Sequence, residues 1–173
     1  MSILGKLFGQ PDRGADDVYG NLRRRVLAIR PGDMGLPPSQ PDSIFGIVTE
    51  TGMDGAVATF ACLADGTVSL YLSTGGGVIG AGQHDSVRAA STELLSITNE
   101  YAADFIGACS PGVRPTLPPN GRVHFYLLTH SGVYSADCDE EALAAHEDPF
   151  ASLFGNCHAV LAEVREIEQT RDQ

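Results

Sequence analysis

Residues 56–73, AVATFACLADGTVSLYLS, decide the fold. Two runs of aliphatic, aromatic and β-branched residues, 56–63 and 67–73, flank Ala64-Asp65-Gly66. An Asp-Gly pair between apolar runs marks a β-hairpin, because both residues tolerate the positive φ of a tight turn. Side chains alternate along a strand, so Val68, Leu70 and Leu72 share one face, with Thr67, Ser69, Tyr71 and Ser73 on the other. That alternation predicts a sheet with one buried face and one wetter face.

Working outward, 44–51 is a third strand, joined to 56–63 by a turn at 52–55. The helix before it spans 16–29, with Asp16 or Asp17 as its cap and a stripe of Val18, Leu22, Val26 and Ile29. Arg30-Pro31-Gly32 ends it, since proline disfavours helical geometry in the residue before it. Residues 31–43 are a loop. On the other side, the glycine-rich stretch 75–82 is a loop, followed by a long helix over 85–106. There Val87, Ala90, Leu94, Ile97, Tyr101 and Phe105 keep helical spacing, and Gly107 is placed to stop it. A second Pro/Gly-rich loop covers 110–121. A second hairpin, 122–129 and 133–136, turns at His130-Ser131-Gly132, and an acidic segment, 137–141, leads out. The last helix, 148–168, has Asp148 as its cap and Pro149 at its first position. Its stripe is Phe150, Leu153, Phe154, Cys157, Val160, Leu161, Val164 and Ile167.

These elements make a single α+β domain over 14–170, of order α-βββ-α-ββ-α, after a tail at 1–13. The fold expected is an antiparallel sheet of about five strands, with helices 85–106 and 148–168 over its apolar face. A doubly wound nucleotide fold needs regular βαβ alternation, which is absent. In the tail, Ile3, Leu4, Leu7 and Phe8 surround Lys6, too little positive charge for a lipid-surface anchor.

The net charge of −11, with 22 acidic against 11 basic side chains, opposes a phosphate backbone and argues against nucleic acid. It favours a basic protein or peptide partner. No apolar run reaches the length of a transmembrane segment, and residues 1–9 lack the long apolar region of a signal peptide. The expected location is the cytoplasm. The four cysteines, Cys62, Cys109, Cys138 and Cys157, form no CxxC pair and read as reduced, small core residues.

Each candidate chemistry has a plainer counterpart. Gly75-Gly76-Gly77-Val78-Ile79-Gly80 satisfies GxGxxG after a strand and before a helix, where backbone N–H groups approach phosphates. Gly75, Gly77 and Gly80 are thus the cofactor-binding candidates. The strand before them belongs to a meander, the helix opens late, and no cation precedes Arg88, so a connection rich in positive-φ residues is the reading adopted, with no cofactor. His146-Glu147-Asp148 and the acids of 137–141 carry donors for a hard cation but no calcium-loop pattern, and no metal site is assigned. Cys109 follows a helix instead of starting one, unlike a reactive thiolate. No catalytic set is assigned. Arg23-Arg24-Arg25 diverge by about 100° per residue on a helix, so at least one pairs with a neighbouring acid. Tyr71, Phe125 and Tyr126 are expected as core or cross-strand residues.

The element order over 16–167, with the Asp65-Gly66 hairpin and the acidity, resembles the type III secretion chaperone-like fold. That resemblance implies a small acidic homodimer that holds extended segments of partner proteins, without cofactor or catalysis. It brings no residue motif, so no binding residue is carried over. The rival shape is the roadblock or profilin-like regulatory layer. Two further classes stay open: an immunity-type inhibitor of a basic toxin, and a nucleotide- or phosphate-binding enzyme using the 75–82 loop. A homodimer is also expected because none of the predicted strands carries the lysine or proline that blunts a sheet edge.

Overall fold

A computed structural model describes residues 15–171, so the tail at 1–13 lies outside the described residues. The chain runs through α1 (Ala15–Leu27), a 3₁₀ turn (Pro31–Met34), β1 (Ile44–Met53), β2 (Ala56–Leu63), β3 (Val68–Leu72), β4 (Gly77–Ile79) and a second 3₁₀ turn (Ala81–Gln83). It continues with α2 (Asp85–Glu100), α3 (Ala102–Gly107), β5 (Ser110–Pro111), β6 (Arg122–Thr129), β7 (Gly132–Asp139), α4 (Glu140–Ala144) and α5 (Ala151–Arg171). One antiparallel sheet of seven strands results, in the order β4-β3-β2-β1-β6-β7-β5.

The α+β class and the antiparallel sheet agree with the sequence, and the count of about five strands is corrected. The two extra strands lie inside stretches expected to be loops. β4 is three residues long and β5 only two, including Pro111, so neither is long enough to show an alternation. They also alter the edge argument. Seven and not five strands means that the long strands are interior or flanked, and the sheet ends on short pieces, one of them with a proline. Short edges of this kind are already blunted, which removes the reason given for a homodimer.

Other boundaries shift for local reasons. The helix expected over 85–106 breaks at Tyr101 (φ −114°, ψ 22°) into α2 and α3. The acidic segment does not simply lead out: β7 runs on to Asp139, whose side chain then caps α4 by accepting from the N–H groups of Glu141 and Ala142 at 3.0 and 3.1 Å. α5 begins at Ala151 and not at Asp148, although Asp148 Oδ1 still accepts from Phe150 N at 2.8 Å. In α1 the stripe is Tyr19, Leu22 and Val26, and Val18 is 44% exposed.

On one face of the sheet Ile47, Phe60, Cys62, Val68, Phe125 and Leu127 pack against Val87 and Leu94 of α2, Phe105 of α3, Phe150 just before α5, and Leu153, Cys157, Val160 and Val164 of α5. The helices thus cover the apolar face as expected. The other face is not wet. α1 lies across it, with Val26, Leu27 and Ile29 on Phe45, Val48, Ala61, Leu63, Tyr126 and Leu128, and with Tyr19 and Leu22 on Tyr71. On β3 Val68 is buried as expected, but beyond it the two faces exchange. Ser69 and Tyr71 are 1% and 3% exposed, while Leu70 and Leu72 are only half-buried. Alternation tells which residues share a face, but not how well each face is covered. Among the described residues no helix is long and apolar enough to cross a membrane.

Candidate functional site

The alternation of β1 turns Glu50 toward α1, where it is fully buried. Arg23 of α1 meets it with a two-pronged contact, Nε to Oε1 at 2.5 Å and Nη2 to Oε2 at 3.1 Å. Arg23 Nη2 also lies 2.9 Å from the Tyr126 hydroxyl and 3.0 Å from the Arg114 carbonyl, and Tyr126 O–H donates to Glu50 Oε2 at 3.0 Å. His124 stands 3.8 Å from both Glu50 and Asp137. Asp137 pairs with Arg122 at 2.9 Å and lies 3.9 Å from Arg114. The cluster joins α1, β1, β6, β7 and the loop over 112–121.

Burial alone pushes the Glu50 carboxyl up; nearby His124, hydrogen bonds from Arg23 and Tyr126, and the Arg23 charge outweigh it and hold it below its ordinary value. Burial likewise opposes the Arg23 charge, and Glu50 and Tyr126 outweigh it and hold it above its ordinary value. A charge-assisted bidentate pair is strong. The cluster therefore clamps α1 onto the sheet. Of the three adjacent arginines, Arg23 meets Glu50. The signal for Glu50 was a lone carboxylate inside a strand run, with an arginine cluster upstream.

The opposite face holds an open cleft of about 330 Å³. It lies where the ends of β1, β2 and β3 run out past the flank of α5. The strand walls are Thr49, Thr51, Met53, Ala58, Phe60, Leu70 and Leu72; Phe154, His158, Leu161 and Arg165 come from α5, with Glu140 also at the cleft. Leu70, Leu72 and Phe154 are half-buried and Met53 is 38% exposed, so a ligand there covers apolar area still in water. His158 packs edge-on to Phe154 with ring centroids 4.4 Å apart. Burial, with the Arg165 charge, lowers its basicity against the pull of Glu140. A second hollow, about 450 Å³, lies between the end of α1 and the β6–β7 turn. Its apolar floor, Ile29, Phe45 and Leu128, is at most 8% exposed, so covering it gains little.

No family model, curated protein or solved structure matches the chain.

The glycine-rich stretch has a structural job. Gly75 sits in the β3–β4 turn, Gly77 pairs with Tyr71, and Gly80 precedes the second 3₁₀ turn. Gly77 (φ 142°) lies so close to β3 that a Cβ there meets the Leu70 carbonyl oxygen at 2.2 Å. A Cβ on Gly82 meets the Gly66 oxygen at 1.8 Å. These glycines pack the hairpin and the 3₁₀ turn against their neighbours, with Ala81–Gln83 and His84 standing between them and the start of α2. A phosphate cradle at that helix start is not the geometry they make.

All four cysteines are free; Cys62, Cys138 and Cys157 are buried and Cys109 half-buried. Burial pushes the Cys109 thiol up to about 11, outweighing the Arg114 charge. Among the described residues no group of three or more His, Cys, Asp or Glu is placed to hold a metal ion, and His146 occupies a turn at φ 60°. Phe125 lies in the α5-side core, whereas Tyr71 and Tyr126 belong to the α1 face.

Proposed function

We propose that the chain is a non-enzymatic binding module that takes an extended protein segment into the cleft beside α5 by one bulky apolar side chain. The observation that carries this reading is the strip of incompletely covered apolar residues, Met53, Leu70, Leu72 and Phe154, around a cavity of about 330 Å³. A cavity of that size stands at the lower end of the range of ligand pockets, about 300–1,000 Å³, and suits one large side chain better than a cofactor. The clamp on the other face supports it as well, because a fixed sheet presents a preorganised wall and lowers the ordering cost of binding.

The chaperone-like reading is supported by the α-βββ-α-ββ-α order, which persists once the short β4, β5, α3 and α4 are set aside. Like those chaperones, the module would hold a segment without transforming it. Peptide selection from a random library tests this. Binders are expected to share a large apolar residue and to lose at least about tenfold in affinity, about 1.4 kcal/mol, against Ala58→Trp, which fills the cleft. Binders indifferent to Ala58→Trp contradict the reading. So does a nucleotide that raises the melting temperature when no peptide binds, since a specific ligand stabilises the folded state it occupies.

A further inference from the structure

Resting on that reading of the cleft, we propose that the segment it takes carries a carboxylate beside its bulky apolar side chain, and that Arg165 is the residue that reads it. The net charge of the protein suggests the opposite, a basic partner. Local geometry argues otherwise. The chain has 22 acidic side chains against 11 basic, so arginines find acids easily. Arg23 pairs with Glu50, Arg88 with Asp85, Arg114 with Asp137, and Arg122 with Asp137 and Asp139. Arg24, Arg30 and Arg165 have no such pair with another described residue, and Arg165 is the one of the three at this cleft. It lines the cleft instead, two turns beyond His158 on the same flank of α5.

A guanidinium offers five N–H donors in a planar fork that fits a carboxylate, and those of Arg165 are unspent. His158 lies between the apolar floor and Arg165, and its lowered basicity leaves Arg165 as the standing positive charge at the cleft. Glu140 lines the cleft too and repels the same carboxylate, so it fixes which way the segment lies: acidic group toward Arg165, away from α4. Bulk charge does not override this. Exposed charges more than about 8 Å apart are largely screened at physiological salt, whereas contact charges set register and specificity.

Three peptides of equal length test the proposal, each with one phenylalanine flanked by aspartates, asparagines or lysines and with both ends blocked. Titrated against the full chain at physiological salt, the aspartate peptide is expected to bind about three- to tenfold more tightly than the asparagine one, with the lysine one weakest. Arg165→Gln should erase the difference between aspartate and asparagine. Arg165→Lys should keep part of it, and Glu140→Gln should enlarge it. Arg165 is exposed, so these variants are expected to fold, and an unchanged melting temperature checks that. Equal binding of the aspartate and asparagine peptides, or a preference for lysine that survives Arg165→Gln, overturns the proposal and leaves the cleft standing as an apolar site. Failure of all three peptides to bind overturns the cleft reading and this inference together.

Discussion

At residue scale the account turns on Arg23 and Glu50. Removing one partner of a buried ion pair leaves an uncompensated charge, at a cost of about 3–5 kcal/mol. Arg23→Met is therefore expected to lower the unfolding free energy, measured by urea titration, by that amount. Replacing both, Arg23→Met with Glu50→Leu, should recover most of the loss, because apolar packing replaces a buried pair at little net cost. A double variant as unstable as the single one would mean that Tyr126 and His124, and not Arg23, are what Glu50 requires. The pair also sets an acid limit. The folded-state carboxyl titrates below its ordinary value of 4.5, so its contribution is present above pH 4.5 and is lost as the pH falls further. Urea midpoints below pH 4.5 should fall steeply in the parent and less steeply in Glu50→Gln; equal slopes would remove Glu50 from the acid response. The three adjacent arginines announced that one of them finds an acid. They did not announce which acid, because Arg23 and Glu50 are joined only by the packing of α1 on β1.

At the scale of elements, the hairpin around Asp65-Gly66 formed where the alternation put it, as did the strand carrying Arg122, and the helix carrying Leu153 to Val164 formed where its stripe put it. These are long, periodic segments with punctuation at their ends. What escaped were elements too short to have a period, β4, β5 and α4, and the break that separates α2 from α3. β4 is set by tertiary contact, through Gly77, and the 3₁₀ turn beside it through Gly82. Gly77→Ala and Gly82→Ala are each expected to destabilise the fold, because the added Cβ meets backbone oxygen, which cannot move aside as a side-chain tip can. Thermal melts check this, with Gly76→Ala as a control for positive φ in open space. A control as damaging as the two test variants would assign the effect to backbone conformation alone.

For the whole molecule, the sequence showed one sheet with helices on it but not that both faces are covered. Thr67, Ser69 and Tyr71 read as residues of the wetter face, and all three are buried. The leucines opposite them, Leu70 and Leu72, read as core and instead line the mouth of the cleft. The candidate site escaped notice for that reason: its residues are ordinary strand and helix hydrophobics, and only the incomplete overlap of α5 with the strand ends sets them apart. Both sheet faces are packed by helices, and the α5 face keeps an unfilled strip beside its core. The measurement that tests this most directly is backbone amide mapping by NMR during titration with a phenylalanine-bearing peptide. The account predicts shifts confined to Thr51, Met53, Leu72, Phe154, His158, Leu161 and their neighbours. Shifts centred on the hollow at Ile29, Phe45 and His130, or on residues 75–82, would contradict it.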